Sequence, residues 1–157
     1  MSKVFLALGS NIGDCSNNLR VAIAHIEKRI GGVISLSAFY ETAPWGFDSA
    51  KVFQNAVVEV ESSLSAKVIL ENVKSIESEM GRNISERNGN YADRVIDIDL
   101  LFFDDCIIST DKLTIPHQLL HKRDFVLRPM MDIAPDFIHP VLNKTIQELW
   151  QELNSES

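Results

Sequence analysis

The stretch DRVIDIDLLFFDD, residues 93–105, decides the fold because it combines the pattern of a buried strand with two acids. Apolar residues recur at every second position from Ile96 to Phe102, and this period of two predicts a strand. Asp97 and Asp99 then share the opposite face, with Cα atoms roughly 6.6 Å apart. Two carboxylates held this close repel each other unless a cation or strong hydrogen-bond donors lie between them.

A solvated strand face is the competing interpretation for Asp97 and Asp99, and it holds for most sequences of the form DxD. Here the apolar neighbours predict a central strand, where unpaired carboxylates are costly. Proteins bind Mg²⁺ through one or two carboxylates together with substrate phosphates and water. The pair therefore indicates a magnesium site, although it does not specify a reaction.

The predicted elements occur in the order β-α-β-β-α-β. The strands cover residues 3–8, 33–42, 53–61 and the opening stretch. Of the two amphipathic helices, one ends at Gly31 and Gly32, and the other begins after Ser65 and ends at Gly81. A hairpin within 107–117 and helices at Phe125–Ile133 and Thr145–Leu153 follow. This order predicts an α+β, ferredoxin-like fold in which the first two helices cover one face of an antiparallel sheet.

Length and composition predict a single domain, residues 1–157. We also expect the protein to act as a monomer. The net charge of −7 argues against a nucleic-acid binder, which normally presents a basic face. No apolar run approaches the roughly 20 residues that cross a bilayer, so we expect no membrane contact. Cys15 and Cys106 lack CxxC spacing and the start lacks the pattern of a secretory signal, which together favour the cytoplasm.

Arginines concentrate in two segments of this acidic chain. The first segment, residues 81–94, reads as a long polar loop beside the acidic strand, and such loops often close over phosphates. Arg94 lies three residues before Asp97 and is the best placed of its arginines, followed by Arg82. A helix C-terminus would equally favour a cation at Arg82. The second segment holds Arg123, and both segments indicate a site for a small polyanion.

Two further groups of residues carry chemistry. His117 and His121 have the spacing of two zinc ligands on a helix, but no glutamate follows His117 as in HExxH. The sequence therefore favours a role in which His117 and Arg123 donate hydrogen bonds to a phosphate. Phe53 and Asn55 share a strand face, where an aromatic plate and an amide with both donor and acceptor suit a heterocycle. A core phenylalanine beside a turn-facing asparagine is the alternative. The turn GSNIGD matches no phosphate-loop pattern and reads as a strand-to-helix turn.

Seven motifs occur in order over nearly the whole chain. They are LGSNIGD (8–14), FYETAPWG (39–46), FQNAV (53–57), IESEMGR (76–82), DRVIDIDLLFFD (93–104), LTIPH (113–117) and RDFVLRPMMDIAP (123–135). Together they resemble the 6-hydroxymethyl-7,8-dihydropterin pyrophosphokinase family of folate biosynthesis. The resemblance implies transfer of pyrophosphate from ATP, with two Mg²⁺ ions, to the hydroxymethyl group of the pterin, releasing AMP.

The resemblance also implies residue roles. Asp97 and Asp99 match the acids that hold both metal ions, and Arg82 and Arg94 match arginines that assist transfer. The pterin positions are Thr42, Pro44, Trp45, Phe53, Asn55 and Phe125. The ATP positions are Lys74, Glu77, Arg82, Arg94, Leu100, Lys112, Thr114, His117 and Arg123. The chain departs at Ile84 and Tyr91, where family members often carry arginine and tryptophan, and this affects the expected closure of the loop.

Two other functions fit part of these residues. A metal-dependent phosphohydrolase would use Asp97, Asp99 and His117, and it would release phosphate without a pterin. A ligand-binding module with the same fold would need no paired carboxylates. Pterin-dependent release of AMP separates the predicted pyrophosphokinase from both.

Overall fold

The computed structural model describes residues 1–42, 53–88 and 95–155, and within 82–88 only the course of the helix. The strands are β1 (Ser2–Ser10), β2 (Gly32–Leu36), β3 (Tyr40–Thr42), β4 (Phe53–Ser62), β5 (Asp97–Phe103), β6 (Ile108–Ser109) and β7 (Thr114–Ile115). The helices are α1 (Cys15–Arg29), α2 (Ala66–Asn88), α3 (Asp124–Ile133) and α4 (Ile146–Ser155). In the described ranges, no helix has the length and apolar character that crossing a membrane requires.

The main sheet confirms the predicted α+β arrangement. Its order is β2-β4-β1-β5, with β3 continuing beside β4, and every pair is antiparallel. The strands β6 and β7 form the predicted hairpin. Because β1 lies between β4 and β5, residues far apart in sequence meet across it.

Apolar side chains fill both faces of this sheet. On one face, Leu6, Leu8 and Val58 pack with α1 and α2, as predicted for the first two helices. On the other face, Phe5 and Val57 pack with the C-terminal helices α3 and α4. The burial of apolar area on both faces stabilises the sheet at roughly 25 cal/mol per Å². One end of the second face holds a pocket that is lined by residues of the sheet and of α3.

The strand predicted over 33–42 is divided into β2 and β3 by Ser37. Its hydroxyl accepts a hydrogen bond from the Val57 backbone N–H at 2.9 Å, and its own N–H donates to the Val57 carbonyl at 3.0 Å. A buried side chain therefore replaces one backbone acceptor of the ladder. The chain bends at this point, and β3 continues along the edge of β4 toward the pocket.

Helix α2 does not end at Gly81, as the sequence predicted, but continues to Asn88. The apolar period of Val73, Ile76 and Met80 extends to Ile84, which favours continuation of the helix. A glycine inside a helix costs only about 1 kcal/mol relative to alanine. The predicted loop of 81–94 is therefore wrong over 82–88, and Arg82 belongs to the last two turns of α2.

The alternation of β5 breaks at Leu101. Leu6 pairs with Leu100 and Phe5 with Phe102, so Leu101 is the extra residue of a β-bulge. Phe102 consequently packs in the core under α3 and α4 and not beside Ile98, as a strict period of two would place it. The Leu101 carbonyl accepts a hydrogen bond from the His117 N–H at 3.1 Å, which attaches the segment after β7 to β5 two residues beyond Asp99.

His139 stabilises the connection between α3 and α4, although the sequence indicates only an incidental turn residue. It is 5% exposed, and its Nδ1 accepts hydrogen bonds from the Val141 and Leu142 N–H groups at 3.2 and 3.1 Å. Burial, followed by the nearby His121, lowers the pKa of His139 to about 4. The imidazole must be neutral at Nδ1 to accept these bonds.

We expect the contribution of His139 to the free energy of unfolding to fall as the pH drops from 7 to 5. In the unfolded chain, His139 has a pKa near 6.5, whereas in the folded protein its pKa is about 4. Between these two values the unfolded state binds a proton that the folded state does not bind. The contribution of His139 is therefore complete above pH 6.5 and is lost as the pH falls toward 4, by roughly 1 to 3 kcal/mol. Urea unfolding of the wild type and of His139→Ala at both pH values measures this, with His25→Ala as the control. An equal pH dependence in wild type and His139→Ala would contradict the assignment.

Candidate active site

The register of three strands builds one end of the sheet into a site. Gly9 of β1 pairs with Asn55 on one side and with Asp97 on the other. Ala7 pairs in the same way with Val57 and Asp99. Gly9 therefore lies between an amide and an acid, and Ala7 lies beside the second acid. These two smallest residues of β1 form the floor of a pocket.

The pocket over this floor encloses about 700 Å³, including its open mouth. Residues of both the sheet and α3 line it. They include Gly9, Thr42, Phe53, Asn55, Asp97, Asp99, Arg123 and Phe125. The structure thus brings together four of the residues predicted for the pterin with both of the predicted metal ligands.

Asp97 and Asp99 point away from the apolar core, as predicted. Ile98 and Leu100 lie in the core under α1 and α2, whereas the two acids face the pocket. Asp97 is exposed, and the Asp99 side chain is 38% exposed. Their carboxylates are therefore open to a ligand or ion.

A third acid, Glu77 of α2, lies beside this pair. Its Oε2 accepts a hydrogen bond from the Ile98 N–H at 2.7 Å, between the two aspartates in sequence. Burial, and then the negative charge of Asp97, raises the pKa of Glu77 to about 7. The same two causes raise the pKa of Asp99 to about 6. Because the three acids lie close together, their charged forms repel each other, and a bound cation would reduce this repulsion.

The donor set fits Mg²⁺ with an incomplete coordination shell. Among the described residues, no three His, Cys, Asp or Glu side chains are arranged to hold a metal. Two carboxylates, with the remaining positions left to phosphate oxygens and water, are typical of a magnesium ion that accompanies a nucleotide. The site therefore suits a metal that arrives together with its phosphate ligand.

Basic groups surround the acids on the side of α2 and β7. His117 Nε2 lies 4.0 Å from Asp99 Oδ2, and Lys74 Nζ lies 3.7 Å from Glu77 Oε1. Burial, and then the positive charge of Arg123, lowers the pKa of His117 and favours its neutral form at pH 7. Neutral His117 can donate one hydrogen bond and adds no positive charge that would repel a metal ion nearby.

A second pocket adjoins the first and shares Asp99 with it. The structure brings to it five of the residues predicted for ATP: Lys74, Leu100, Lys112, Thr114 and His117. Leu70, Leu113 and Gln118 also line it and were missed by the sequence analysis. Leu70 lies one helical turn before Lys74, a spacing that could have revealed it.

The aromatic side of the first pocket is held by hydrogen bonds within the sheet. Asn55 is 6% exposed, and its Nδ2 donates to Thr42 Oγ1 at 2.8 Å, which fixes the plane of the amide. Phe125 lies in the first turn of α3, and the Arg123 guanidinium lies 5.6 Å from its ring centroid. Pro44, Trp45 and Arg94 lie outside the described residues, and the side chain of Arg82 is likewise not described.

The segment GSNIGD joins β1 to α1 in a strand-to-helix turn, as predicted, and it also supports the pocket floor. Ser10 Oγ accepts a hydrogen bond from Asn18 Nδ2 at 3.1 Å, and the same amide donates to the Ile12 carbonyl at 2.8 Å. Asp14 caps α1 by accepting from the Asn17 N–H at 3.1 Å. These bonds hold the end of β1 in place, so that Gly9 keeps its position under the pocket.

Comparison with known proteins identifies close relatives. A family model described as 7,8-dihydro-6-hydroxymethylpterin-pyrophosphokinase matches residues 5–135. The 2-amino-4-hydroxy-6-hydroxymethyldihydropteridine pyrophosphokinase of Porphyromonas gingivalis is 43% identical over 141 residues, which cover 89% of this chain and 95% of that one. The enzyme of the same name from Aquifex aeolicus is 36% identical, over 97% and 92% of the two chains.

Longer proteins also match. The folic acid synthesis protein FOL1 of Dictyostelium discoideum is 42% identical over 93% of this chain, which spans 22% of that protein. Among solved structures, the Plasmodium falciparum HPPK-DHPS triple mutant with SDX-DHP superposes with a TM-score of 0.81 at 20% identity. This chain covers 44% of that structure, whose likeness supports the fold alone.

Proposed function

Since this chain belongs to the 7,8-dihydro-6-hydroxymethylpterin-pyrophosphokinase family, we propose that it transfers the pyrophosphate group of ATP to 6-hydroxymethyl-7,8-dihydropterin. The products are AMP and the pterin diphosphate, an intermediate of folate biosynthesis. One observation carries the proposal: the Asn55–Gly9–Asp97 row joins an aromatic pocket for the pterin directly to the acids that suit a magnesium nucleotide.

Enzymes of this family use ATP, generally with Mg²⁺. We assign the binding of two Mg²⁺ ions to Asp97 and Asp99, whose carboxylates face the pocket. When bound, the ions neutralise the charge of the triphosphate and polarise the phosphoryl group that is transferred. Burial, and then the charge of Asp97, raises the pKa values of Asp99 and Glu77, which supports this assignment because a nearby cation would stabilise the charged forms of both acids.

In this proposal the sheet would position the two substrates. Neighbouring strands lie about 4.8 Å apart, so Asn55 and Asp97 are separated by roughly 10 Å across β1. A pterin ring between Phe53 and Phe125, with its edge on Asn55, would direct its hydroxymethyl group toward Gly9 and Asp97. Positioning of this kind can contribute roughly 7 to 11 kcal/mol to lowering the barrier of a two-substrate reaction.

The transfer then exchanges one P–O bond for another. The pterin hydroxyl oxygen bonds to the β-phosphorus, the bond from that phosphorus to the α–β bridging oxygen breaks, and AMP leaves with this oxygen. The hydroxyl proton passes to water or to a nearby carboxylate. Arg82 and Arg94 are assigned to neutralise the charge on the departing AMP, as phosphoryl transfer requires.

The ATP side is assigned to the second pocket. Lys74, Lys112, Thr114 and His117 would contact the nucleotide, with Leu100 as an apolar wall. We assign Arg123, which lines the first pocket, and Glu77, which accepts a hydrogen bond from Ile98 of the second pocket, to the ATP side as well. On the pterin side, Thr42, Pro44 and Trp45 are assigned to the wall of the slot. Action as a single-domain monomer in the cytoplasm stays a prediction.

The deciding experiment incubates the protein with MgATP, with and without 6-hydroxymethyl-7,8-dihydropterin. We expect AMP only when the pterin is present, in equal amount to the pterin diphosphate. Pterin-independent release of phosphate would instead indicate a phosphohydrolase. The absence of any turnover would indicate a ligand-binding module.

We expect Gly9→Ala to raise the KM for the pterin about tenfold while leaving the KM for ATP unchanged, because a small displacement of a bound substrate is costly. A Cβ at position 9 would lie 3.2 Å from Asn55 Oδ1 and 3.6 Å from the Phe53 ring. The matched control is Gly32→Ala, in β2 of the same sheet, where a Cβ would meet no atom within 4 Å. Equal kinetics for both variants would show that position 9 does not limit the pterin slot.

A further inference from the structure

One face of α3 is attached to β3 by a group of polar contacts. Asp132 Oδ2 accepts a hydrogen bond from the Ala38 N–H at 3.1 Å. Both carboxylate oxygens of Asp132 accept from the Tyr40 hydroxyl, at 2.9 and 2.8 Å. The Arg128 guanidinium lies over the Tyr40 ring, 6.0 Å from its centroid. These contacts join residues 88 to 94 positions apart in sequence.

The side of α3 that carries these residues extends to the pocket. Phe125, Arg128 and Asp132 are spaced by three and four residues, so they lie along one side of the helix. Asp132 and Arg128 contact β3 at Tyr40, and Phe125 lines the pocket two turns earlier in the helix. The same side of α3 therefore carries an anchor at one end and a wall of the aromatic slot at the other.

The residues of β3 in this group also continue to the pocket. Tyr40 pairs with Asn55 and Thr42 pairs with Phe53, so these four side chains share one face of the sheet. Thr42 accepts the hydrogen bond that orients Asn55. The strand β3, which is hydrogen-bonded to Asp132 through Tyr40, thus supports the wall of the slot that lies opposite Phe125.

The width of this slot must be set closely. A flat ring between two aromatic faces needs them roughly 7 to 8 Å apart, because carbon atoms attract best at about 3.5 to 4.0 Å. The apolar packing of Val126 and Met130 holds α3 against the sheet but is non-directional. Hydrogen bonds depend on distance and angle, so Asp132 can fix the position of the helix along β3.

We propose that Asp132, through Ala38 and Tyr40, is a positioning residue that sets the separation of Phe125 from Phe53 and Asn55 and so determines the affinity for the pterin. This proposal rests on the proposed function, since it assigns the slot to the pterin. The raised pKa of Tyr40, caused first by its hydrogen bond to Asp132, supports the strength of the contact.

The test compares Asp132→Ala, Asp132→Asn and Tyr40→Phe in steady-state kinetics. We expect Asp132→Ala to raise the KM for the pterin about tenfold, because a misplaced wall loses substrate contacts, with the KM for ATP unchanged. Asp132→Asn should restore most of the affinity, because its amide oxygen can accept from both Ala38 and Tyr40. Tyr40→Phe should fall between them. Asp136→Ala, an exposed acid just beyond α3, is the control and should behave as wild type.

An unchanged pterin KM in Asp132→Ala would overturn the proposal, as would equal increases in the KM for both substrates. Asparagine as harmful as alanine would also overturn it, because charge and not geometry would then matter. If Asp132→Ala does not fold, Tyr40→Phe decides by the same criteria. Failure of the proposed function is distinguishable, because wild type would then release no AMP with the pterin. Direct titration of the pterin by fluorescence would still measure the effect of each variant on the slot.

Discussion

Asp97→Ala is expected to lower pyrophosphate transfer by about 10³-fold or more at saturating MgATP, a loss of about 4 kcal/mol of transition-state stabilisation. Asp97 faces the pocket and pairs across the sheet with Gly9, at the point where we place the reacting hydroxymethyl group. The loss should persist at high ATP and pterin concentrations, because it removes a group that acts in the transition state. The loss of activity is measured as the rate of AMP formation, which is monitored by chromatography.

Two variants serve as controls for this result. Asp97→Asn keeps the size of the side chain but removes its charge, and it should be nearly as inactive as alanine. Asp105→Ala removes an exposed acid two residues past the end of β5 and should keep wild-type activity. Near-normal transfer by Asp97→Ala, with the protein folded, would contradict the assignment of the metal to this residue.

Phe125→Ala is expected to raise the KM for the pterin by about 10- to 100-fold, because stacking of a base on an aromatic ring contributes roughly 1 to 3 kcal/mol. The kcat should change much less, since stacking stabilises the bound pterin and the transition state alike. Phe125→Tyr retains the ring and is the matched control. Initial rates over a range of pterin concentrations at saturating MgATP provide the measurement.

Arg94→Ala should give the opposite pattern, with a lower kcat and little change in the KM for the pterin. The arginine is assigned to the charge that develops on AMP, which appears only as the bond breaks. If Arg94→Ala weakened pterin binding and Phe125→Ala lowered only kcat, the two roles would be reversed.

The sequence predicted the parts of the site that depend on local periodicity. The alternation in β5 separated Asp97 and Asp99 from Ile98 and Leu100, and the structure confirms that separation. The spacing of Phe53 and Asn55 placed both on the face that lines the pocket. A period of two or of 3.6 residues reports which side of an element is buried, and both acids and aromatic residues obey it.

Other features escaped prediction because their causes are not local. The end of α2 was placed at Gly81, although a single glycine is a weak signal against a continuing apolar period. The bulge at Leu101 depends on the register with β1, which the sequence of β5 alone does not contain. The role of Gly9 became visible only from the sheet pairing that places it beside Asn55. The role of Asp132 became visible only from its hydrogen bond to Tyr40, 92 residues away in sequence.

The most direct test is a crystal structure of the protein with Mn²⁺, a non-hydrolysable ATP analogue and 6-hydroxymethylpterin. We expect anomalous density for divalent ions within coordination distance of both Asp97 and Asp99, with the pterin ring between Phe53 and Phe125. Density for the nucleotide without any ion at the two aspartates would contradict the proposed site, as would a pterin bound elsewhere.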